Sequence, residues 1–301
     1  MNRFVLVALF AGLLTAGCQT AGPGATLPVQ VKQLRVNGVD LAYVEEGSGP
    51  TVVFVHGASG DWRTWDGLRA YVAPKYRFVS MSRRYHYPNA WADDGKNYSW
   101  DQHAEDVAAF IRALNAGKVH LVGSSYSGRL AGVVALKYPE LLRSVVLGEP
   151  GLISPTSEEG KAALGAYMAD IGKVSVAAKA GDDRQAAILL ANAVADDPEG
   201  FTKMSPPRQQ RWLDNARTMG PMFAGPPPTP ATCDQLKGIK VPALVVRGEK
   251  TRANFRHGHD MLLGCLPQTA EQAVIPSGTH FWAVDNPTAA ATTLLAFIER
   301  H

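Results

Sequence analysis

The sequence predicts an α/β fold with an eight-stranded, mostly parallel sheet, helices on both faces and one helical insertion. Short apolar or alternating runs recur along the chain, and helical patterns separate them from the third run onward. Strands that alternate with helices pair in parallel, because each helix carries the chain back across the sheet. The predicted strands cover residues 29–36, 40–45, 51–55, 77–81, 119–122, 144–147, 243–246 and 272–275.

Turn and helix signals fix the order of the remaining elements. Asn37-Gly38 lies between the first two strands and predicts a tight hairpin. Apolar residues at helical spacing predict helices over 62–71, 99–114 and 287–299, and Ser99 is a favourable N-cap for the second of these.

Residues 151–232 interrupt this alternation. They contain no convincing strand, and amphipathic helical stretches lie near 158–171, 174–196 and 207–219. A stiff Pro-rich run, 225–230, ends the segment. We therefore expect a helical cap inserted into a core that consists of residues 28–150 and 233–301.

Size and charge exclude some partners. The 301 residues suit one large domain with an insertion better than two independent domains. The net charge is only +3, and no block of lysine and arginine is interleaved with aromatic residues, so nucleic acid is not an expected partner.

The N-terminus has the features of an export signal. Arg3 precedes an apolar run over 4–14, and small residues lead to Cys18. This end resembles a bacterial lipobox, which implies a signal peptide over 1–17, lipidation of Cys18 and a flexible tether over 18–27. We expect a protein held at the bacterial cell envelope by a lipid anchor. An ordinary signal peptide or an uncleaved anchor is the alternative interpretation.

The cysteines are compatible with export. The chain has three, and lipidation of Cys18 leaves Cys233 and Cys265 as a possible disulfide pair in an oxidising compartment. Neither lies in a C-x-x-C motif or near a histidine at ligand spacing, so no metal site is expected.

The segment from Val119 to Arg129 carries the strongest functional signal. A buried strand over 119–122 turns sharply at small residues into a helix that continues over 130–138. Ser125 at the top of such a turn exposes its hydroxyl, and the backbone N–H of Tyr126 points where a carbonyl oxygen gains charge. A merely flexible turn is the alternative interpretation.

This segment resembles the G-x-S-x-G nucleophile elbow of the α/β-hydrolase family. Ser127 stands where the motif has its last glycine, and Gly128 follows. The order and spacing of the core motifs over about residues 30–300 extend the resemblance, which implies that Ser125 is a nucleophile activated by a late histidine.

The base and the oxyanion donors follow from strand ends. His280 lies in a loop between the last predicted strand and the final helix, and it is the expected base. His56-Gly57 ends the third strand, so the Ala58 N–H is expected to join that of Tyr126 in the oxyanion hole, with His56 bonding the loop. Trp62 and Trp65 either wall the pocket or pack the first helix.

The triad acid is open to three assignments. Thr251 stands where the family commonly has an aspartate after the seventh strand. Another solution in the family puts the acid after the sixth strand, where this chain has Glu149. A carboxylate there can hold the other imidazole nitrogen protonated. Glu149 is therefore preferred, with Glu249 and Asp260 as alternatives.

The loop after the fourth strand is rich in cations and aromatic rings. Arg83 and Arg84 either recognise a substrate carboxylate or bond neighbouring carbonyls in a solvated loop, and the second interpretation is slightly favoured.

The residues together predict a serine hydrolase that acts on a small ester or related acyl compound through an acyl-enzyme, without a cofactor. A dehalogenase or epoxide hydrolase is not expected, because position 125 is serine rather than a carboxylate. A hydrolase-fold binding protein with little turnover remains an alternative, as does a perhydrolase or C–C bond hydrolase.

Overall fold

The computed structural model describes residues 29–301. The predicted signal peptide (1–17), the predicted lipidation site Cys18 and the predicted tether (18–27) lie outside the described residues. Within 29–301, no helix has the length and apolar character needed to cross a bilayer.

The sheet has eight strands in the order β1-β2-β4-β3-β5-β6-β7-β8. β1 and β2 form an antiparallel hairpin, β2 pairs antiparallel with β4, and every later pairing is parallel. This confirms the predicted fold class. The strands are β1 (Lys32–Val36), β2 (Val39–Glu46), β3 (Thr51–Val55), β4 (Arg77–Met81), β5 (Val119–Ser124), β6 (Leu142–Gly148), β7 (Ala243–Gly248) and β8 (Glu271–Ile275).

The predicted tight hairpin joins β1 to β2. Asn37 and Gly38 have φ values of 45° and 80°, and Val36 pairs with Val39 across the turn. Positive φ at both central residues is the geometry for which Asn-Gly is favoured.

Helices cover both faces of the sheet. Those of the core are α1 (Asp66–Val72), α2 (Trp100–Ala113), α3 (Tyr126–Lys137), α8 (Cys233–Leu236), α9 (Ala253–Cys265), α10 (Trp282–Asp285) and α11 (Pro287–Ile298). The Ser99 hydroxyl accepts from the Gln102 N–H, as expected of an N-cap. α9 and the first turn of α3 were not predicted.

The central strands are buried on both faces, as in parallel sheets generally. Val53 and Val55 of β3 belong to the apolar cluster that includes α2 and α3. Phe54 points to the other face, where its ring centroid lies 5.2 Å from that of Trp65. Trp65 in turn contacts Trp282 of α10 at 5.9 Å. The two-residue period of the strand thus supplies two separate cores.

The inserted segment (residues 151–232) is helical and contains no strand. Its helices are α4 (Glu158–Lys179), α5 (Asp183–Ala195), α6 (Pro206–Asp214) and α7 (Met219–Ala224). The break predicted between 171 and 174 was wrong, because α4 runs on to Lys179 and Asp182 then caps α5 by accepting from the Gln185 N–H. The segment has an apolar cluster of its own, centred on α4, α5 and α7. Its function as a cap stays a prediction.

A disulfide joins α8, the first core helix after the insertion, to α9. Cys233 at the start of α8 pairs with Cys265 at the end of α9, with their Cα atoms 4.7 Å apart. The bond fixes the chain where it re-enters the core.

Candidate active site

Ser125 lies between β5 and α3 in a backbone conformation that L-residues rarely adopt. Its φ and ψ are 55° and −120°, and its N–H donates to the Gly148 carbonyl at 2.7 Å. A non-glycine residue held at positive φ requires support from its surroundings. The side chain is half-buried, so the hydroxyl stands at the edge of the sheet.

Close backbone contacts explain the small residues around Ser125. A Cβ at Gly123 would lie 2.1 Å from the Ser127 carbonyl oxygen, and a Cβ at Gly128 would lie 2.9 Å from the Gly148 carbonyl oxygen. Glycine is therefore needed at 123 and 128. Ser127 is fully buried, and its hydroxyl has no hydrogen-bond partner in the described part of the chain. The turn thus accommodates serine where the family motif has glycine.

His280 and Glu149 meet at the carboxyl ends of β8 and β6. The distance from His280 Nδ1 to Glu149 Oε2 is 2.5 Å, and both side chains are buried. Glu149 has a φ of 42°, which turns its carboxylate under the histidine loop. A carboxylate on Nδ1 holds that nitrogen protonated and leaves Nε2 as the proton acceptor.

Glu149 accepts two further hydrogen bonds. Its Oε1 accepts from the Gly248 N–H at 2.8 Å, and its Oε2 accepts from the Thr251 hydroxyl at 2.8 Å. Thr251, at the position where the family commonly has its acid, thus supports the glutamate. Glu249 accepts from the Ser277 N–H and is exposed, and Asp260 is exposed on α9. The structure brings Glu149 to His280, and neither of the two alternatives bonds to that ring.

The second nitrogen of His280 is unpaired. Nε2 has no hydrogen-bond partner within residues 29–301, so the Ser125 hydroxyl is not bonded to it. Such contacts are often long in the absence of substrate. The imidazole stacks on Phe255 with centroids 4.0 Å apart, which fixes the plane of the ring.

A cavity of about 830 Å³ connects these groups. Ser125, Glu149 and His280 line it together with mainly apolar side chains. From the inserted segment, α4 contributes Leu164, Tyr167, Met168 and Ile171 to the wall. Trp65 lines the cavity and also packs against Phe54, whereas Trp62 is not part of the lining. In the described chain, no group of three or more His, Cys, Asp or Glu side chains could hold a metal ion.

The loop after β3 lies against Ser125. A Cβ at Gly57 would be 3.3 Å from the Ser125 Cβ, so the loop passes directly beside the hydroxyl. Ala58 and Tyr126 both line the cavity, and the N–H of neither donates to another residue of the described range. Two unpaired donors beside a serine are the arrangement that an oxyanion requires.

His56 bonds the loop rather than facing the cavity. Its Nδ1 is 2.8 Å from the Gly57 carbonyl oxygen, and its Nε2 accepts from the Arg83 N–H at 3.0 Å. The side chain is fully buried, and burial lowers the pKa of His56 well below its usual range. This agrees with the structural role expected of it.

Arg83 and Arg84 are buried, which corrects the interpretation of a solvated loop. Arg84 forms an ion pair with Asp106, with nitrogen–oxygen distances of 2.7 and 2.9 Å. Arg83 donates to the carbonyl oxygens of Gly57 and Ala58 at 3.0 and 3.2 Å. Neither arginine lines the cavity, so recognition of a substrate carboxylate by this pair is not supported.

Sequence reasoning missed three supporting residues. The donor role of Thr251 was not predicted, although its position had been singled out. Phe255 gave no signal, because α9 was not predicted. The anchoring role of Arg83 depends on burial, which an alternation of charged and aromatic residues does not reveal.

Comparison with known proteins agrees with this fold. A model described as "Alpha/beta hydrolase family" matches residues 52–293. The 2-hydroxy-6-oxo-6-(2'-aminophenyl)hexa-2,4-dienoic acid hydrolase of Metapseudomonas resinovorans is 24% identical over 279 residues, which are 89% of this chain and 90% of that protein. The crystal structure of a carboxylesterase from Bacillus subtilis has a TM-score of 0.72 at 16% identity, covering 90% of this chain and 92% of that one.

A third relative is matched only in part. The 2-(acetamidomethylene)succinate hydrolase of Mesorhizobium japonicum is 30% identical over 115 residues, which are 38% of this chain. The matched region spans 41% of that relative's length.

Proposed function

The chain belongs to the α/β hydrolase family, and on that premise we propose that it is a serine hydrolase that cleaves a small ester or related acyl substrate through an acyl-enzyme. Ser125 is the nucleophile, His280 the general base and Glu149 the acid that orients it. The N–H groups of Ala58 and Tyr126 bind the oxyanion. No cofactor takes part in these steps.

The reaction begins when the substrate carbonyl enters the cavity beside Ser125. The Ser125 hydroxyl attacks the carbonyl carbon while its proton passes to His280 Nε2, and Glu149 stabilises the imidazolium. The two N–H groups donate to the oxygen that gains negative charge. His280 then returns the proton to the leaving alcohol, and a water activated by the same histidine hydrolyses the acyl-enzyme.

One observation carries this proposal. His280 Nδ1 bonds to a buried carboxylate at 2.5 Å, while Nε2 is unpaired in the described chain and the same ring lines a cavity with Ser125. A carboxylate on one imidazole nitrogen and an open second nitrogen, on a ring that lines the same cavity as a serine, form the arrangement that a general base requires.

A fluorophosphonate probe tests the nucleophile. We expect covalent labelling at Ser125, identified by peptide mass spectrometry, together with turnover of p-nitrophenyl acetate. Ser125→Ala is expected to lose both, with a rate loss of at least about 10⁴-fold. Ser127→Ala, two residues away on the same turn, is the matched control and is expected to keep both. Unchanged turnover in folded Ser125→Ala contradicts the proposal.

A C–C bond hydrolase is a second candidate. The dienoic acid hydrolase of Metapseudomonas resinovorans matches nearly the whole chain, and a serine-histidine-acid set can serve both reactions. Turnover of a 2-hydroxy-6-oxo-dienoic acid by the purified protein, at a higher kcat/KM than any short ester, would favour this candidate. Retention of a ligand without turnover of either substrate would favour a binding protein.

We also propose that the protein is exported and anchored by a lipid on Cys18. The support is the sequence of the N-terminus alone. Metabolic labelling with a fatty acid analogue in a bacterial host is expected to mark the wild-type protein and not Cys18→Ser. Equal labelling of the two proteins contradicts the anchor.

A further inference from the structure

Arg83 lies behind the loop that carries the first oxyanion donor. Its side chain is 1% exposed. Nη2 donates to the carbonyl oxygens of Gly57 and Ala58, and Nη1 lies 3.1 Å from His103 Nδ1. No ion pair joins Arg83 to a carboxylate within residues 29–301, whereas its neighbour Arg84 has Asp106. A buried cation without a counterion is costly and rare.

The groups around Arg83 do not neutralise it. His86 Nε2 and His103 Nδ1 lie 3.0 and 3.1 Å from guanidinium nitrogens, and His56 accepts from the Arg83 backbone N–H. Burial, followed by the charge of Arg83, lowers the pKa of each histidine well below its usual range. These rings are therefore neutral near pH 7. The positive charge of Arg83 is thus retained beside the loop after β3.

Arg83 is one of the groups that bond the carbonyl of the Gly57–Ala58 peptide. In a trans peptide the carbonyl and the N–H point in opposite directions, and this peptide is not among the cis bonds of the described chain. Because Arg83 Nη2 and His56 Nδ1 both lie against the Gly57 carbonyl, the Ala58 N–H is aimed to the opposite side. Donation from a cation to the carbonyl also polarises the peptide, which strengthens its N–H as a donor.

Arg83 also contacts the residue that supplies the second donor. The guanidinium carbon lies 4.0 Å from the centroid of the Tyr126 ring, within the range of a cation–π contact. The Tyr126 hydroxyl is 3.0 Å from His103 Nδ1. The face of the Tyr126 ring therefore contacts Arg83, and its hydroxyl contacts a histidine that also lies against Arg83. One side chain is therefore in contact with both residues whose N–H groups are proposed to bind the oxyanion.

We propose that Arg83 is the positioning residue of the oxyanion hole: its charge and its two bonds to the loop carbonyls aim and polarise the Ala58 N–H and hold Tyr126. This inference rests on the proposed serine hydrolase function. The uncompensated cation stabilises the tetrahedral state more than the neutral substrate, because negative charge develops on the carbonyl oxygen only during attack.

Substitutions at Arg83 separate charge from packing. Arg83→Gln keeps an amide donor and loses the charge, and it is expected to lower kcat for p-nitrophenyl acetate by about 10- to 100-fold with KM within about 2-fold. The affinity for a trifluoromethyl ketone, which forms an oxyanion with the serine, is expected to fall by the same factor. Arg83→Lys keeps the charge but cannot bond both carbonyls, so a loss of about 5-fold is expected.

The neighbouring arginine supplies the matched control. Arg84→Met breaks the buried pair with Asp106 and is expected to lower the melting temperature while kcat stays within about 2-fold. A merely structural role for Arg83 would give that same pattern. Folding of every variant is checked by circular dichroism.

The outcomes are distinct. Wild-type kcat and ketone affinity in folded Arg83→Gln overturn the proposal, as does an equal loss in Arg83→Gln and Arg83→Lys. If Arg83→Gln does not fold, a folded Arg83→Lys with wild-type kcat overturns it. Absence of both turnover and ketone binding in the wild-type protein refutes the serine hydrolase function instead.

Discussion

The edge of the sheet and the inserted segment are built in different ways. At the edge, Ser125 and Glu149 are both held at positive φ, and Gly123 has no room for a single added carbon. In the inserted segment, only three of the 22 residues of α4 are buried, and one of them is a glycine; Gly172 has open space around it. Close backbone contacts fix the edge of the sheet, whereas α4 of the inserted segment has few buried residues.

We interpret this difference as a division between the groups that react and the residues that select the substrate. The proposed nucleophile, base and oxyanion donors must be held within a fraction of an ångström, and they follow the ends of buried strands. The helices of the inserted segment form a wall of the cavity and reach the proposed base indirectly, through Tyr167 of α4 against Phe255, the ring that stacks on His280. We therefore expect changes at the sheet edge to alter rate and folding, and changes in the segment to alter substrate preference.

The largest expected effect comes from replacing Glu149, the acid of the proposed triad. Glu149→Gln removes the charge that stabilises the imidazolium, and we expect kcat for p-nitrophenyl acetate to fall by about 10³- to 10⁴-fold. Thr251→Val removes one donor to the same carboxylate and is expected to cost about 3- to 10-fold.

The alternative acids serve as controls. Glu249→Gln and Asp260→Asn alter exposed carboxylates that do not bond to His280, so kcat is expected to stay within about 2-fold. A loss at Glu249 that equals the loss at Glu149 would reassign the acid.

Two glycines test the contrast in packing. Gly123→Ala places a carbon 2.1 Å from the Ser127 carbonyl oxygen, and we expect a loss of at least about 3 kcal/mol in the free energy of unfolding. Gly172→Ala adds a methyl group to an open helix position and is expected to stabilise by about 0.5–1 kcal/mol. Urea unfolding of both variants measures the difference, and a tolerated Gly123→Ala would contradict the tight elbow.

Most of the core could be predicted from the sequence because its signals are local. Eight apolar or alternating runs match the eight strands within a few residues, since the central parallel strands are apolar throughout and the edge strands β1 and β8 alternate. Asn37-Gly38 and Ser99 act through their own backbone geometry, so the hairpin and the start of α2 were predicted correctly. The position of Glu149 could be predicted because this residue directly follows a strand.

The rest depends on contacts between distant residues. The end of α4 was misplaced because many of its exposed residues are small or apolar. The contrast between a polar and an apolar face, which predicts a helix, is therefore weak near residue 172. Phe255 and Arg83 act through neighbours that only the tertiary structure supplies. The charged loop after β4 was interpreted as solvated, because a buried arginine without a carboxylate is not an arrangement that sequence spacing indicates.

Between pH 7.5 and 5.5, we expect the stability of the fold to depend on histidines of the core, because residues 151–232 contain no histidine. The pKa values of His56, His86 and His103 are lowered well below the usual range by burial. Below about pH 6.5 the unfolded chain binds protons at these histidines and the folded chain does not. Stability therefore falls as pH decreases.

Because the unfolded chain takes up protons at these positions below that point, we expect a lower free energy of unfolding at pH 5.5 than at pH 7.5. Urea unfolding at pH 7.5, 6.5 and 5.5 measures it. Most carboxylates stay ionised over this interval, so an unchanged midpoint would mean that the cluster accepts protons in the folded state.

The smallest effect is expected in the inserted segment. Leu164 lines the cavity on α4, and Leu164→Trp shortens the space for an acyl chain without contacting the triad. We expect kcat/KM for p-nitrophenyl hexanoate to fall by about 10-fold and that for the acetate to stay within about 2-fold. Val176→Trp on the same helix is the control, because Val176 is 71% exposed and does not line the cavity. If both esters slow equally in Leu164→Trp while Val176→Trp is unchanged, the segment supports the reacting groups as well as selecting the substrate.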